Sequence, residues 1–209
     1  MTDGDAHSGV VLVIDDDASV RNALKELFES VGLKVSSFKS PEEFLGYTIP
    51  DASCCIILDM RMPEMSGLKL QAELSKAEVQ VPVVFLTAYG DVEMAVAAMK
   101  AGAVDFLVKP FRTQDLLDAV FAALEHDHAR RALQQSISTL LECFNALSVR
   151  EKEVLSRVAV GRLNKQIAAE LGISEVMVKV HRGHGMRKMH AKSVAELVRM
   201  TDLLNHAAA

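Results

Sequence analysis

Five polar residues at the ends of apolar runs are the residues best placed to do chemistry in this 209-residue sequence. Asp15 and Asp16 follow one run, Asp59 follows a second, and Thr87 and Lys109 follow two more. If the runs are parallel strands of one sheet, their carboxyl ends face one crevice, where such sheets bind ligands. Three carboxylates held there repel one another unless a cation neutralises them, and oxygen ligands suit Mg²⁺. The sequence therefore predicts a magnesium site.

An acidic pocket that also holds an ammonium and a hydroxyl group can receive a phosphoryl group. In such a reaction the Asp59 carboxylate attacks phosphorus in line with the departing group. Mg²⁺ and Lys109 neutralise the transferred charge, and the Thr87 hydroxyl binds a phosphoryl oxygen. Asp59 is therefore the predicted phosphoryl acceptor. An aspartate at a strand end can also be an ordinary cap residue, which is the role predicted for Asp17.

The apolar runs alternate with segments of helical period, a pattern typical of a parallel sheet wrapped by helices. We therefore expect a doubly wound, flavodoxin-like α/β sheet of five parallel strands in residues 1–126, with a helix after each strand. The predicted strands are 10–14, 33–38, 54–58, 81–86 and 104–108.

The remainder of the chain is predicted to be helical. Residues 127–146 lack Gly and Pro, which favours a helical connector; whether it continues the preceding helix is open. Beyond it, Ser148 and Glu151 form a capping box, and Gly172 stands between two short predicted helices, as in a helix-turn-helix module. The predicted domains are 1–126, the connector 127–146 and an all-α helix-turn-helix domain 147–209, called the reader below.

Charge separates the two parts of the chain. Residues 1–125 carry 10 Lys and Arg against 20 Asp and Glu, whereas residues 126–209 carry 13 against 8. A basic C-terminal part predicts contact with a polyanion, although solvated surface charge gives the same composition. The third reader helix is predicted to begin near Glu175. On it, Lys179, Val180 and Arg182 are predicted to lie near base edges of double-stranded DNA. Arg187 and Lys188 are predicted to lie near its phosphates.

Residues 9–125 resemble the receiver domains of two-component response regulators. The resemblance rests on four motifs in order, "VIDDD", "LDMRMPEMSG", "FLTAYGD" and "AGAVDFLVKPF". It implies that Asp59 accepts its phosphoryl group from a sensor histidine kinase. It also implies that Asp16 is the closer Mg²⁺ ligand, that Asp15 acts through water, and that the backbone carbonyl of Arg61 binds the metal.

The same resemblance implies a switch. Thr87 would shift toward the phosphate and Phe106 would rotate with it, although an aromatic residue at that position can equally be ordinary core. The fourth helix, fifth strand and fifth helix would then form a homodimer face that includes Val96 and Lys100. Lys109 would sense the phosphate charge.

Residues 148–200 resemble the DNA-binding domain of the NarL/FixJ family of response regulators, and the FixJ members in particular. The resemblance implies a cytoplasmic transcription regulator that binds specific DNA sites as a dimer. It implies no enzymatic role beyond accepting a phosphoryl group and, at most, slow self-dephosphorylation.

The segment 183–185 departs from that family. Gly185 stands on the core-facing side of the third reader helix, where the family has an aliphatic residue, and His184 stands where it has asparagine. Gly183 and Gly185 each lower the helix propensity of this segment by up to about 1 kcal/mol relative to alanine. We expect a core gap, a marginally stable reader and stabilisation by Gly185→Val, unless a neighbouring side chain already fills the space.

Other functions use similar patterns. A phosphatase of the haloacid dehalogenase type would need an aspartate where Arg61 stands. A flavodoxin-like cofactor binder would need a phosphate-binding loop at positions 15–17, where this chain has three aspartates. A reader that binds RNA or a protein is compatible with the helix pattern. No apolar run is long enough to span a membrane, and the acidic N-terminus differs from a signal peptide.

Overall fold

The structure, a computed structural model, describes residues 9–88 and 92–207. The chain divides into two compact units, Met1–Arg131 and Ala132–Ala209. Within the two described stretches, no helix is long and apolar enough to cross a membrane.

The first unit contains the predicted sheet of five parallel strands, in the order β2-β1-β3-β4-β5. The order reverses between β1 and β3, which places the ligand-binding crevice of this fold at their carboxyl ends. The strands are β1 (Val10–Ile14), β2 (Lys34–Phe38), β3 (Cys54–Asp59), β4 (Val83–Thr87) and β5 (Asp105–Val108). The helices are α1 (Ala18–Ser30), α2 (Pro41–Leu45), α3 (Gly67–Lys76), α4 (Val92–Lys100) and α5 (Thr113–Asn145). The predicted fold class is confirmed.

Successive residues of the central strands pack on opposite faces of the sheet, because strand side chains alternate in direction. Leu12 and Cys54 belong to the core on one face, and Val11 and Cys55 to the core on the other. The adjacent cysteines are therefore separate buried thiols, and burial raises the pKa of Cys54 to about 11. The third cysteine, Cys143, is half-buried.

The connector continues the fifth receiver helix. α5 is a single helix of 33 residues, which settles the question that the sequence left open. Its middle carries Asp127, a fully buried carboxylate. Asp127 accepts the backbone N–H of Cys54 at 2.9 Å and the Arg131 Nε at 3.1 Å, while its other oxygen accepts from Arg130 at 2.6 Å. Arg131 also reaches Asp51, at 2.6 Å. We name Asp51, Asp127, Arg130 and Arg131 the α5 clamp.

Asp127→Ala should destabilise the receiver by about 3 kcal/mol, because it removes the carboxylate that two guanidinium groups share and leaves the buried backbone N–H of Cys54 without this acceptor. Urea unfolding measures the loss, and hydrogen exchange should show that the Cys54 amide loses protection. Asp118→Ala, at an exposed position of the same helix, is the matched control and should change stability little. Equal stability of the two variants would contradict the role of the clamp.

The second unit contains four helices after the end of α5. They are α6 (Val149–Ala159), α7 (Asn164–Leu171), α8 (Glu175–Lys188) and α9 (Val194–Ala207). The predicted capping box is confirmed, because the backbone N–H of Ser148 donates to Glu151 at 2.7 Å and the Ser148 hydroxyl accepts in return at 3.2 Å. Gly172 ends α7 with a φ of 65°, a left-handed conformation that favours glycine. α7 and α8 thus form the predicted helix-turn-helix.

The expected core gap at Gly185 is wrong. Gly185 is buried, and a Cβ atom there would lie 2.8 Å from Leu155 Cδ1 and 3.0 Å from Leu155 Cγ. The Leu155 side chain of α6 therefore already fills the space that an aliphatic residue would take. α8 continues as a helix through Gly183 and Gly185. Gly185 is a position of close helix packing.

We therefore expect Gly185→Val to destabilise the reader by about 1–3 kcal/mol through overpacking against Leu155. Gly183→Ala is the control, since a Cβ at Gly183 would meet only Arg187 Nη1 at 3.8 Å. That substitution should stabilise α8 by up to about 1 kcal/mol through helix propensity. Hydrogen exchange of the α6 and α8 amides in the whole chain measures both changes. Stabilisation by Gly185→Val would restore the expectation of a gap.

Candidate functional site

The three predicted aspartates converge at the carboxyl edge of the sheet. Carboxylate oxygens of Asp15, Asp16 and Asp59 all lie within 4.8 Å of one another. Asp15 is buried, Asp16 is exposed, and the Asp59 side chain is 12 % exposed. The cluster is therefore partly shielded and still open to solvent on one side.

Lys109, at the end of β5, supplies the positive charge of this cluster. Its Nζ lies 2.9 Å from Asp15 Oδ2 and 3.7 Å from Asp59 Oδ1. Burial raises the pKa of Asp59 to about 6; Lys109 opposes this shift, and Asp15 and Asp16 add to it. Asp59 remains hard to ionise even with the Lys109 ammonium nearby. The site therefore has less positive charge than its three carboxylates need. Three carboxylates that share one solvent-open pocket fit a magnesium ion.

Two residues that the sequence reading did not single out hold the pocket in place. Arg21 of α1 donates a hydrogen bond of 2.6 Å to the backbone carbonyl of Asp15. Gly67 starts α3 so close to β3 that a Cβ atom there would lie 2.6 Å from the carbonyl oxygen of Asp59. Only glycine allows this approach, and its place eight residues after Asp59 was the available signal.

The predicted switch residues flank the cluster. Thr87 is buried at the end of β4, and its backbone carbonyl accepts the Lys109 N–H at 2.7 Å. Phe106 lies on β5 beside Phe85 and packs partly buried against the core. Arg61 is exposed two residues after Asp59. The end of the "FLTAYGD" motif, positions 89–91, lies outside the described residues.

The predicted dimer residues lie on an exposed apolar surface of the receiver. Val96 is 46 % exposed, and Lys100 is exposed on the same helix. Val92 and Met99 of α4 and Val108 of β5 are also exposed large apolar side chains. We name these five residues the α4–β5 surface.

The predicted DNA-contacting residues lie on α8 in different environments. Lys179, Val180 and Arg187 are exposed. Arg182 is half-buried, and its Nη1 donates to Asn164 Oδ1 of α7 at 3.2 Å. Three of the five side chains are thus available to a partner as they stand.

Lys188 takes part in the packing of the reader. Its ammonium lies 2.7 Å from Glu151 Oε2 and 3.2 Å from the carbonyl oxygen of Ala146. The Lys188 ammonium and the Ser148 N–H lower the pKa of Glu151 to about 2. A phosphate contact by Lys188 stays a prediction, and it would compete with this ion pair.

A receiver sheet with three aspartates at its carboxyl edge, followed by a helix-turn-helix reader, defines a response regulator. Residues 11–121 match the family model of the response regulator receiver domain, and residues 145–201 match that of the bacterial regulatory proteins of the luxR family. The chain belongs to the NarL/FixJ family of response regulators, which regulate transcription and carry a LuxR-type DNA-binding domain.

Relatives match this chain over nearly its whole length. Nodulation protein W of Bradyrhizobium diazoefficiens is 50% identical over 199 residues, which are 95% of this chain and 88% of the relative. The transcriptional regulatory protein FixJ of Rhizobium meliloti is 40% identical over 200 residues, 96% of either chain. Among solved structures, the response regulator StyR is similar with a TM-score of 0.85 and 45% identity, over 93% of this chain and 98% of that one.

In the absence of a divalent cation, Asp59→Asn should stabilise the receiver at pH 7.5 by about 2 kcal/mol, a figure reduced for the partial solvation of the site. The pKa of Asp59 is raised to about 6, so folding favours its protonated form, and the native chain loses stability as pH rises from about 4 through 6. The gain from the amide should therefore shrink at pH 5.

Urea unfolding at the two pH values, with and without Mg²⁺, measures the effect. Mg²⁺ should stabilise the native chain more than the variant, because the variant has one carboxylate fewer. A variant less stable than the native chain at pH 7.5 without a divalent cation would contradict the repulsion described above.

Proposed function

We propose that Asp59 accepts a phosphoryl group from a sensor histidine kinase and that this phosphorylation controls DNA binding by the reader. The observation that carries the proposal is the cluster of three carboxylates with the Lys109 ammonium beside Asp15 and Asp59. Structural ion pairs alone do not need a third, exposed carboxylate such as Asp16.

The chemistry requires an ionised Asp59 and a neutralised transition state. A carboxylate oxygen of Asp59 forms a bond to phosphorus while the bond from phosphorus to the donor breaks, and the donor leaves with that electron pair. When bound, Mg²⁺ supplies positive charge to the phosphoryl oxygens, and Asp15, Asp16, Asp59 and the Arg61 carbonyl would hold it. Lys109 adds a second positive charge, and Thr87 offers its hydroxyl to a phosphoryl oxygen.

Dimerisation on phosphorylation is the proposed output of the switch. A shift of Thr87 toward the acylphosphate, with a rotation of Phe106, would rearrange the α4–β5 surface. This surface exposes apolar side chains and Lys100, which suits an interface with a second copy of the chain. A shift from mostly inactive to mostly active needs roughly 3–5 kcal/mol of differential stabilisation. Two readers brought together would bind two half-sites of an operator in the cytoplasm.

Asp59→Asn should abolish labelling by a radiolabelled small phosphodonor, because the amide does not attack phosphorus, and should also abolish phosphodonor-dependent dimerisation. Phosphate transfer and analytical ultracentrifugation measure the two effects. Asp202→Asn, which makes the same chemical change at an exposed position of α9, is the control and should leave both intact. Persistent labelling of Asp59→Asn would assign the acceptor to another residue. Labelling without dimerisation in the native chain would remove the proposed output.

A further inference from the structure

The side of α8 that faces away from the reader core is apolar at its amino-terminal end. Val176, Met177 and Val180 are 68 %, 42 % and 40 % exposed. The core-facing side of the helix carries Val178 and Gly185, both buried. Because residues three and four apart share a face of a helix, Val176, Val180 and Gly183 form one stripe with Met177 beside it. We name these four residues the outer face of α8.

This arrangement differs from the ordinary surface of a helix. A single exposed apolar side chain needs no explanation, but three on adjacent positions of one face form a patch, and such patches mark interaction sites. Lys179 borders the outer face and Arg187 continues it toward the carboxyl end of α8, and both are exposed. A partner of the patch must therefore offer apolar groups and be compatible with flanking cations.

Duplex DNA meets both requirements. In a helix-turn-helix the amino-terminal residues of the second helix reach base edges in the major groove. Phosphates there attract the flanking cations. Valine and methionine side chains have no strong hydrogen-bonding groups for the polar base edges, and the apolar group that the major groove presents is the 5-methyl of thymine.

Gly183 extends this argument. No packing contact requires glycine there, since a Cβ atom would meet only Arg187 Nη1 at 3.8 Å. The missing side chain leaves a depression in the stripe one helical turn after Val180. A helix with such a depression can lie closer to the floor of the groove, which shortens the reach from Val176 and Val180 to the bases.

We infer that the outer face of α8 reads thymine methyl groups, through Val176, Met177 and Val180, and that Gly183 permits the close approach that the two short valine side chains need. The inference rests on DNA binding by the reader and adds the chemical feature of the operator that is recognised.

The test starts from duplexes selected from a random pool by the full chain treated with acetyl phosphate. In the enriched duplex, each thymine is replaced in turn by deoxyuridine, which lacks only the 5-methyl group. Competition binding should show a loss of about fourfold at two or more positions of each half-site, the value for one buried methyl group. Thymines in the flanks should show no effect.

Variants assign the methyl groups to side chains. In Val180→Thr and Val176→Thr one of the two methyl groups becomes a hydroxyl, so the difference between thymine and deoxyuridine should shrink at one position for each variant. Val149→Thr makes the same change at an exposed position of α6 and should leave every difference intact. Gly183→Ala should weaken binding of the enriched duplex severalfold while leaving the reader at least as stable as before.

The outcomes separate the inference from the function on which it rests. Absence of any enrichment, with weak binding that is equal for all duplexes, would overturn sequence-specific DNA binding itself. Enrichment followed by unchanged affinity for every deoxyuridine duplex would overturn methyl reading alone. Unchanged DNA affinity of Gly183→Ala would overturn the part assigned to the glycine.

Discussion

Repulsion among three carboxylates at one edge of a parallel sheet is the constraint on which the receiver depends. The proposed phosphoryl transfer requires an ionised Asp59, yet burial and its two neighbours raise the pKa of this carboxyl to about 6. Lys109 reduces the repulsion, and the three carboxylates together fit a divalent cation. The three carboxylates outnumber the one ammonium, so the charge that the proposed phosphorylation adds would act on a site that is not yet neutral. The geometry is also held by contacts that do not involve the carboxylate groups, which are the strand ends, the Arg21 hydrogen bond to the Asp15 backbone carbonyl and the close approach of Gly67.

The features that the sequence predicted correctly are local or periodic. Alternating strands and helices of a parallel sheet bring the strand ends together by topology alone, so the sequence was enough to place Asp15, Asp16, Asp59 and Lys109 in one pocket. The capping box of α6 needed only a serine and a glutamate three residues apart. The helix-turn-helix likewise followed from caps and one glycine.

The features that the sequence did not predict join residues far apart in the chain. Asp127 and Cys54 are 73 residues apart, and Lys188 and Glu151 are 37 apart. No local pattern indicates either pair. Gly185 shows the same limit. Its periodic position indicated that it faces the core, but the period could not show that the Leu155 side chain occupies the space beside it. The two glycines of α8 therefore differ. Packing against Leu155 explains Gly185, whereas no packing contact requires a glycine at position 183.

The α5 clamp has a consequence for where the receiver can be cut as a module. The Asp127 carboxylate ties the amino end of β3 to the part of α5 that begins at residue 127. The other end of β3 carries Asp59. A receiver excised at residue 126 would leave the Cys54 N–H buried without this acceptor, and Asp51 without Arg131. A chimaera that joins this receiver to a different output domain therefore keeps the α5 clamp only if the junction comes after Arg131. Such a junction lies within a helix and not in a loop.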